Sequence, residues 1–123
     1  MTAIQTAYLE QLLAANIVPV LASLGENAAG EFLNINADYL AAAVASSLQA
    51  EKLILMTDIE GVLEDKKVLP QLLTSQVSKK IQTGVIKGGM IPKIESAVQT
   101  VLSGVGQVLI GDNLLTGTLI AEG

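Results

Sequence analysis

The residues best suited to chemistry lie in three short polar segments. They are Asn34-Ile35-Asn36-Ala37-Asp38, Thr57-Asp58-Ile59-Glu60-Gly61-Val62-Leu63 and Lys87-Gly88-Gly89-Met90-Ile91-Pro92-Lys93. The last joins a double glycine to a lysine in the first turn of a predicted helix. Cations are favoured at helix C-termini, so Lys93 is electrostatically misplaced, and an anionic ligand would relieve the misfit. The plainer reading is a surface lysine whose stem lies along the protein with its head in water. The first segment sets two amides and a carboxylate where free helix N–H groups attract anions. Its plainer reading is capping, with Asn36 as N-cap and Asp38 in the first turn. In the middle segment Gly61 lets backbone approach a flat or phosphorylated ligand. An ordinary turn with Asp58 as its former has the same residues.

Composition narrows the chemistry further. The chain has 123 residues, no Cys, no His and no Arg, and all seven of its cations are Lys. No cysteine metal site or disulfide is possible, and the commonest general base is absent. An anionic substrate must therefore be held by Lys, by backbone N–H groups or by a metal ion. The net charge of −5 carries no basic footprint, which argues against a nucleic-acid partner. No apolar run approaches the roughly 18 residues of a membrane span, and the N-terminus lacks the basic flank of a secretory signal, so a cytoplasmic protein is expected.

The elements that must position these segments follow from periodicity. Residues Thr2 to Ala15 read as an amphipathic helix, with Tyr8, Leu12 and Leu13 near the face of Ile4. Ile17 to Leu21 reads as a short strand, and Gly25 to Gly30 as the turn of a hairpin. A helix runs from Asn36 to about Gln49 with Leu40, Val44 and Leu48 as its buried stripe. Lys52 to Met56 reads as a strand buried on both faces. Residues 64–69 read as charged and exposed. Further elements are a helix over Ser75 to Thr83, a helix from Pro92 to near Gly104 with Ile94, Val98 and Val101 inward, a strand Gln107 to Ile110, and a last short strand in Gly117 to Ile120. Half of the residues are hydrophobic, mostly Ala, Leu, Ile and Val, with two Tyr, one Phe and no Trp. An aliphatic core and alternating strands and helices predict one α/β domain, a mainly parallel sheet covered by helices. In such sheets ligands gather at the C-terminal ends of strands.

Together the motifs NINAD, TDIEGVL and GVIKGGMIPKIE, in that order, resemble the acetylglutamate kinases of the amino-acid kinase family, over almost the whole chain. The resemblance implies a three-layer αβα sandwich, of which this chain is the C-terminal, ATP-binding lobe. It implies that Lys93 stabilises the phosphoryl group in transfer, that Asp38 orients catalytic lysines, and that Asn34 contacts N-acetyl-L-glutamate. It also implies that Asp58, Ile59, Glu60, Gly61, Val62 and Leu63 contact the nucleotide, with Val85, Ile86 and Lys87 lining the same pocket. Lys87 departs from the small hydroxyl or neutral residue common there. The co-substrate would be ATP with Mg²⁺, and no residue is assigned as a metal ligand.

The family's N-terminal strand with its Lys-x-Gly-Gly element, its second glycine-rich loop and its substrate arginine have no counterpart in this sequence. The resemblance therefore implies a lobe that is inactive or weakly active alone, and that pairs with an N-terminal half or self-associates through apolar surface. A non-catalytic nucleotide-binding or interaction remnant is the alternative. A carbamate or aspartate kinase relative is a third reading, against which the combination of NINAD and GGM-x-x-K argues.

Overall fold

The structure, a computed structural model, describes residues 3–123. Thr2, assigned from the sequence to the first helix, lies outside the described residues. Helix α1 spans Thr6–Ala14 and buries Leu9. A hairpin of β1 (Leu24–Glu26) and β2 (Phe32–Asn34) follows, with Leu24 opposite Asn34. Helix α2 (Ala37–Ser47) starts where expected, because the Asn36 side chain accepts the Tyr39 N–H at 3.0 Å.

The main sheet has four strands in the order β3 (Lys52–Met56), β7 (Gln107–Gly111), β8 (Thr118–Ala121), β6 (Gln71–Leu73). β3 runs parallel to β7 and β6 parallel to β8, while β7 and β8 are antiparallel. Between β3 and β6 stands a small hairpin of β4 (Leu63–Glu64) and β5 (Lys67–Val68), turned at Asp65 and Lys66, both with positive φ. A 3-10 turn (Thr74–Gln76) leads into α3 (Val77–Gln82), and α4 (Met90–Leu102) precedes β7.

The core sits on one face of this sheet. Leu55, Val108, Ile110, Ile120 and Leu72 pack against Ile94, Ala97 and Val101 of α4 and Val77 of α3, with Ala41 of α2 at the margin. Ile94, Ala97, Val98 and Val101 recur at helical spacing, so α4 presents one apolar stripe to the strands. Each large aliphatic side chain removed from water there contributes about 1.5–3 kcal/mol. The helix stops at Gly104, whose φ of +112° few other residues adopt.

Four expectations need correction. Ile17 to Leu21 forms no strand: no sheet neighbour lies beside it among the described residues, and Val18 and Val20 are 83% and 93% exposed. β3 is not buried on both faces. Among the described residues it pairs with β7 alone, and of its five residues only Leu55 is buried while Met56 is exposed. The strand enclosed on both faces is β7, where Val108, Leu109 and Ile110 are all buried. Residues 64–69 are not exposed throughout: 65–67 are, but Glu64, Val68 and Leu69 are half-buried, because the left-handed turn at 65–66 folds Lys67 back beside Glu64 in a hairpin. Leu40, Val44 and Leu48 are only half-buried and line an open groove with Pro19, Leu21 and Leu53.

Candidate functional site

The loop after β3 is built from its backbone. Thr57 N–H donates to the Gly111 carbonyl at the end of β7, extending the parallel register by one bond. Thr118, fully buried at the start of β8, accepts the Val62 N–H at 2.8 Å and donates to the Leu69 carbonyl at 2.7 Å. One hydroxyl thus anchors both feet of the β4–β5 hairpin. Gly61 is required beside it. Its φ is +152°, and a Cβ there would come within 2.8 Å of the Thr118 hydroxyl and 2.9 Å of the Val68 side chain.

This loop, α3 and the Gly84–Met90 segment border a solvent-open cavity of about 1040 Å³. Of the residues expected at a nucleotide, Ile59, Gly61, Val62, Leu63, Val85 and Lys87 line it. Asp58, Glu60 and Ile86 do not. Asp58 is exposed and its carboxylate accepts the Thr57 hydroxyl at 3.3 Å, which makes it a turn residue of the loop. Ile86 is 1% exposed and belongs to the core. The sequence reading missed the far wall, formed by Gln76, Lys79 and Lys80 with Glu64 of the hairpin. The adjacent Lys79-Lys80 on a helix was the available signal.

A second cavity, of about 830 Å³, lies between α1, the β1–β2 hairpin and the start of α2. Asn34 and Asn36 line it together with Tyr8 and Tyr39. Neither Asp38 nor Lys93 lines either cavity. Instead they meet each other: Lys93 Nζ donates to Asp38 Oδ2 at 2.6 Å, with the lysine side chain 19% and the carboxylate 40% exposed. The pair joins α2, whose first turn borders the second cavity at Tyr39, to α4, whose first residue Met90 borders the first cavity. The charge beside the misplaced lysine is therefore the Asp38 carboxylate, where the helix-end argument invoked an anionic ligand and the resemblance a carboxylate that orients lysines.

The second ion pair, Lys80 with Glu64 at 2.6 Å, spans the first cavity from α3 to β4. Lys79 and Lys87 line the same cavity and form no ion pair among the described residues. The arrangement sets Lys79 and Lys87, with the Asp65 carboxylate, around a loop that includes Gly61, beside a helix that begins with a carboxylate-held lysine.

Comparison with known proteins agrees with this architecture. Over 121 residues the chain is 98% identical to the acetylglutamate kinase of Streptococcus gordonii, covering 98% of this chain and 49% of that protein. A crystal structure of a Streptococcus mutans UA159 protein superposes with a TM-score of 0.88 at 59% identity, over 99% of this chain and 50% of that one. The N-acetylglutamate synthase of Neisseria gonorrhoeae, complexed with coenzyme A and N-acetyl-glutamate, superposes with a TM-score of 0.90 at 28% identity, over 99% of this chain and 32% of that one. The chain spans about half the length of the curated relatives it matches. The sequence pattern of the amino acid kinase family matches residues 1–112, and the chain belongs to the amino acid kinase family.

Proposed function

We propose that this chain is the nucleotide-binding half of an acetylglutamate kinase. The reaction transfers the γ-phosphoryl group of ATP to the side-chain carboxylate of N-acetyl-L-glutamate, a step of arginine biosynthesis. The bond from the γ-phosphorus to the bridging oxygen breaks, a carboxylate oxygen takes its place, and ADP leaves. The acceptor is already an anion, so no general base is needed, in keeping with a chain that has no His. What the step requires is positive charge beside the transferring oxygens.

The observation that carries this reading is the Lys93–Asp38 pair at 2.6 Å, which links the helix bordering the large cavity to the helix beside the Asn34 cavity. In this reading the nucleotide occupies the first cavity against Ile59, Gly61, Val62, Leu63, Val85 and Lys87. Asn34 binds the acceptor, and Asp38 aims Lys93 at the phosphoryl group in flight. Asp58, Glu60 and Ile86 act by shaping the loop and floor. Among the described residues no group of three or more His, Cys, Asp or Glu side chains could cage a metal ion. In this reading Mg²⁺ arrives on the phosphates of ATP, as part of the substrate.

Among the described residues no helix is long and apolar enough to cross a membrane. We assign the chain to the cytoplasm, where ATP is available. In this reading the exposed Val18 and Val20 meet the N-terminal half that the resemblance implies. The test is to mix this chain with a separately produced N-terminal half of the Streptococcus gordonii enzyme. ADP formation that depends on N-acetyl-L-glutamate is expected in the mixture and not with either half. A stable mixed complex without that activity would overturn the reading.

A further inference from the structure

The Glu64–Lys80 pair has no part in the phosphoryl transfer assigned to Lys93 and Asp38. It joins two chain segments that form opposite walls of the large cavity, the β4–β5 hairpin and α3. At its base the hairpin is held by Thr118. At its outer flank, among the described residues, its hydrogen bonding to α3 consists of the Lys80-to-Glu64 bond. The left-handed turn at Asp65 and Lys66 lies at the end of the hairpin away from that base, next to Glu64.

We propose that Glu64 and Lys80 form a clasp that sets the width of the nucleotide cavity, and that both are positioning residues for the nucleotide. The inference rests on the nucleotide reading of that cavity. Two physical effects support it. The side chains are 25% and 31% exposed, partly withdrawn from water, so their attraction is screened less than that of a surface pair. Lys80 also neutralises a carboxylate that lines a cavity meant for a polyphosphate. Without it Glu64 would repel the ligand. Lys79 and Lys87, unpaired among the described residues, are the cations left to meet the phosphates directly.

The experiment is calorimetric titration of the 123-residue chain with Mg-ADP, for the wild type, Glu64→Gln, Lys80→Met and the exchange Glu64→Lys with Lys80→Glu. Each single variant should bind ADP roughly three- to tenfold more weakly, Glu64→Gln included although it frees the Lys80 charge, and the exchange should return affinity to within about twofold of wild type; tighter binding by Glu64→Gln overturns the clasp. Restoration by the exchange is a result that a mere loss of fold would not produce. Single variants that bind like wild type overturn the clasp. So does a weak Lys80→Met variant that the exchange fails to rescue, because Lys80 would then touch the phosphates itself. Glu64→Gln keeps the side-chain shape, and its binding is read beside its melting curve so that unfolding is not mistaken for lost affinity. If wild type binds no ADP, the nucleotide reading falls and takes the clasp with it, which separates that failure from the others.

Discussion

Lys93 and Asp38 lie 55 positions apart in the chain and 2.6 Å apart in the fold. The lysine enters from the first turn of α4 and the carboxylate from the first turn of α2. A charged pair at two helix starts has a defined geometry. Asp38 sits at a helix N-terminus, where its charge is favoured, and it offsets the charge of Lys93, which is not.

For Lys93→Ala, assayed in the complex with an N-terminal half, the maximal rate should fall about a hundredfold to a thousandfold. ADP affinity should change by less than about threefold, since Lys93 does not line the cavity. Steady-state kinetics beside an ADP titration check both parts. A rate within about twofold of wild type would remove Lys93 from the chemistry.

Asp38→Asn preserves shape and removes the charge that holds the lysine. The maximal rate should fall roughly tenfold to a hundredfold, a positioning effect smaller than loss of the lysine itself. In the double variant with Lys93→Ala the two losses should not add, because both act through one ammonium group. Full additivity in the kinetics of the four species would show that Asp38 works elsewhere.

Thr118→Val leaves the Val62 N–H and the Leu69 carbonyl without their buried partner. Stability should drop by about 2 kcal/mol or more, and nucleotide affinity should drop with it because both feet of the hairpin are released. Thermal melting should show a decrease of roughly 8 °C or more. A variant as stable as wild type would mean that water or a rotated neighbour replaces the hydroxyl.

Val18→Asp with Val20→Asp places charge on side chains already 83% and 93% exposed. The melting temperature of this chain alone should shift by no more than a few degrees, as for ordinary surface changes. Reconstitution with an N-terminal half should be lost, measured by sedimentation or by recovered kinase activity. Unimpaired reconstitution would place the docking surface elsewhere.

Much of this fold was legible in the sequence where the cause is local. Asn36 caps α2 because its own amide reaches the Tyr39 N–H, an interaction that needs no tertiary partner. The stripe of Ile94, Val98 and Val101, and the stop at Gly104, follow from helical period and left-handed backbone. The glycine in the loop after β3 was read as giving a ligand close approach, whereas the groups packed against it are Thr118 and Val68. The role of Thr118 was not legible, because a threonine carries no sign of what its hydroxyl will bond across the sheet.

What the sequence by itself determined is the four helices, the strands β3, β7 and β8, the cap at Asn36 and the three polar segments, since period, capping and turn chemistry act over a few residues, whereas β4, β5 and β6 are too short to carry a period. The tertiary structure alone decided three further things. Among the described residues β3 is an edge and β7 the enclosed strand, though both are apolar runs, because enclosure depends on neighbours. Ile17 to Leu21 has a strand's pattern and no strand's pairing, because a ladder needs a second backbone beside it. And Lys93 meets Asp38 while Lys80 meets Glu64, because the packing of α4 on α2 and of α3 near the hairpin chose the partners from among many carboxylates. Charge is a property of a residue, but pairing is a property of distance, and distance across the fold is set by the core.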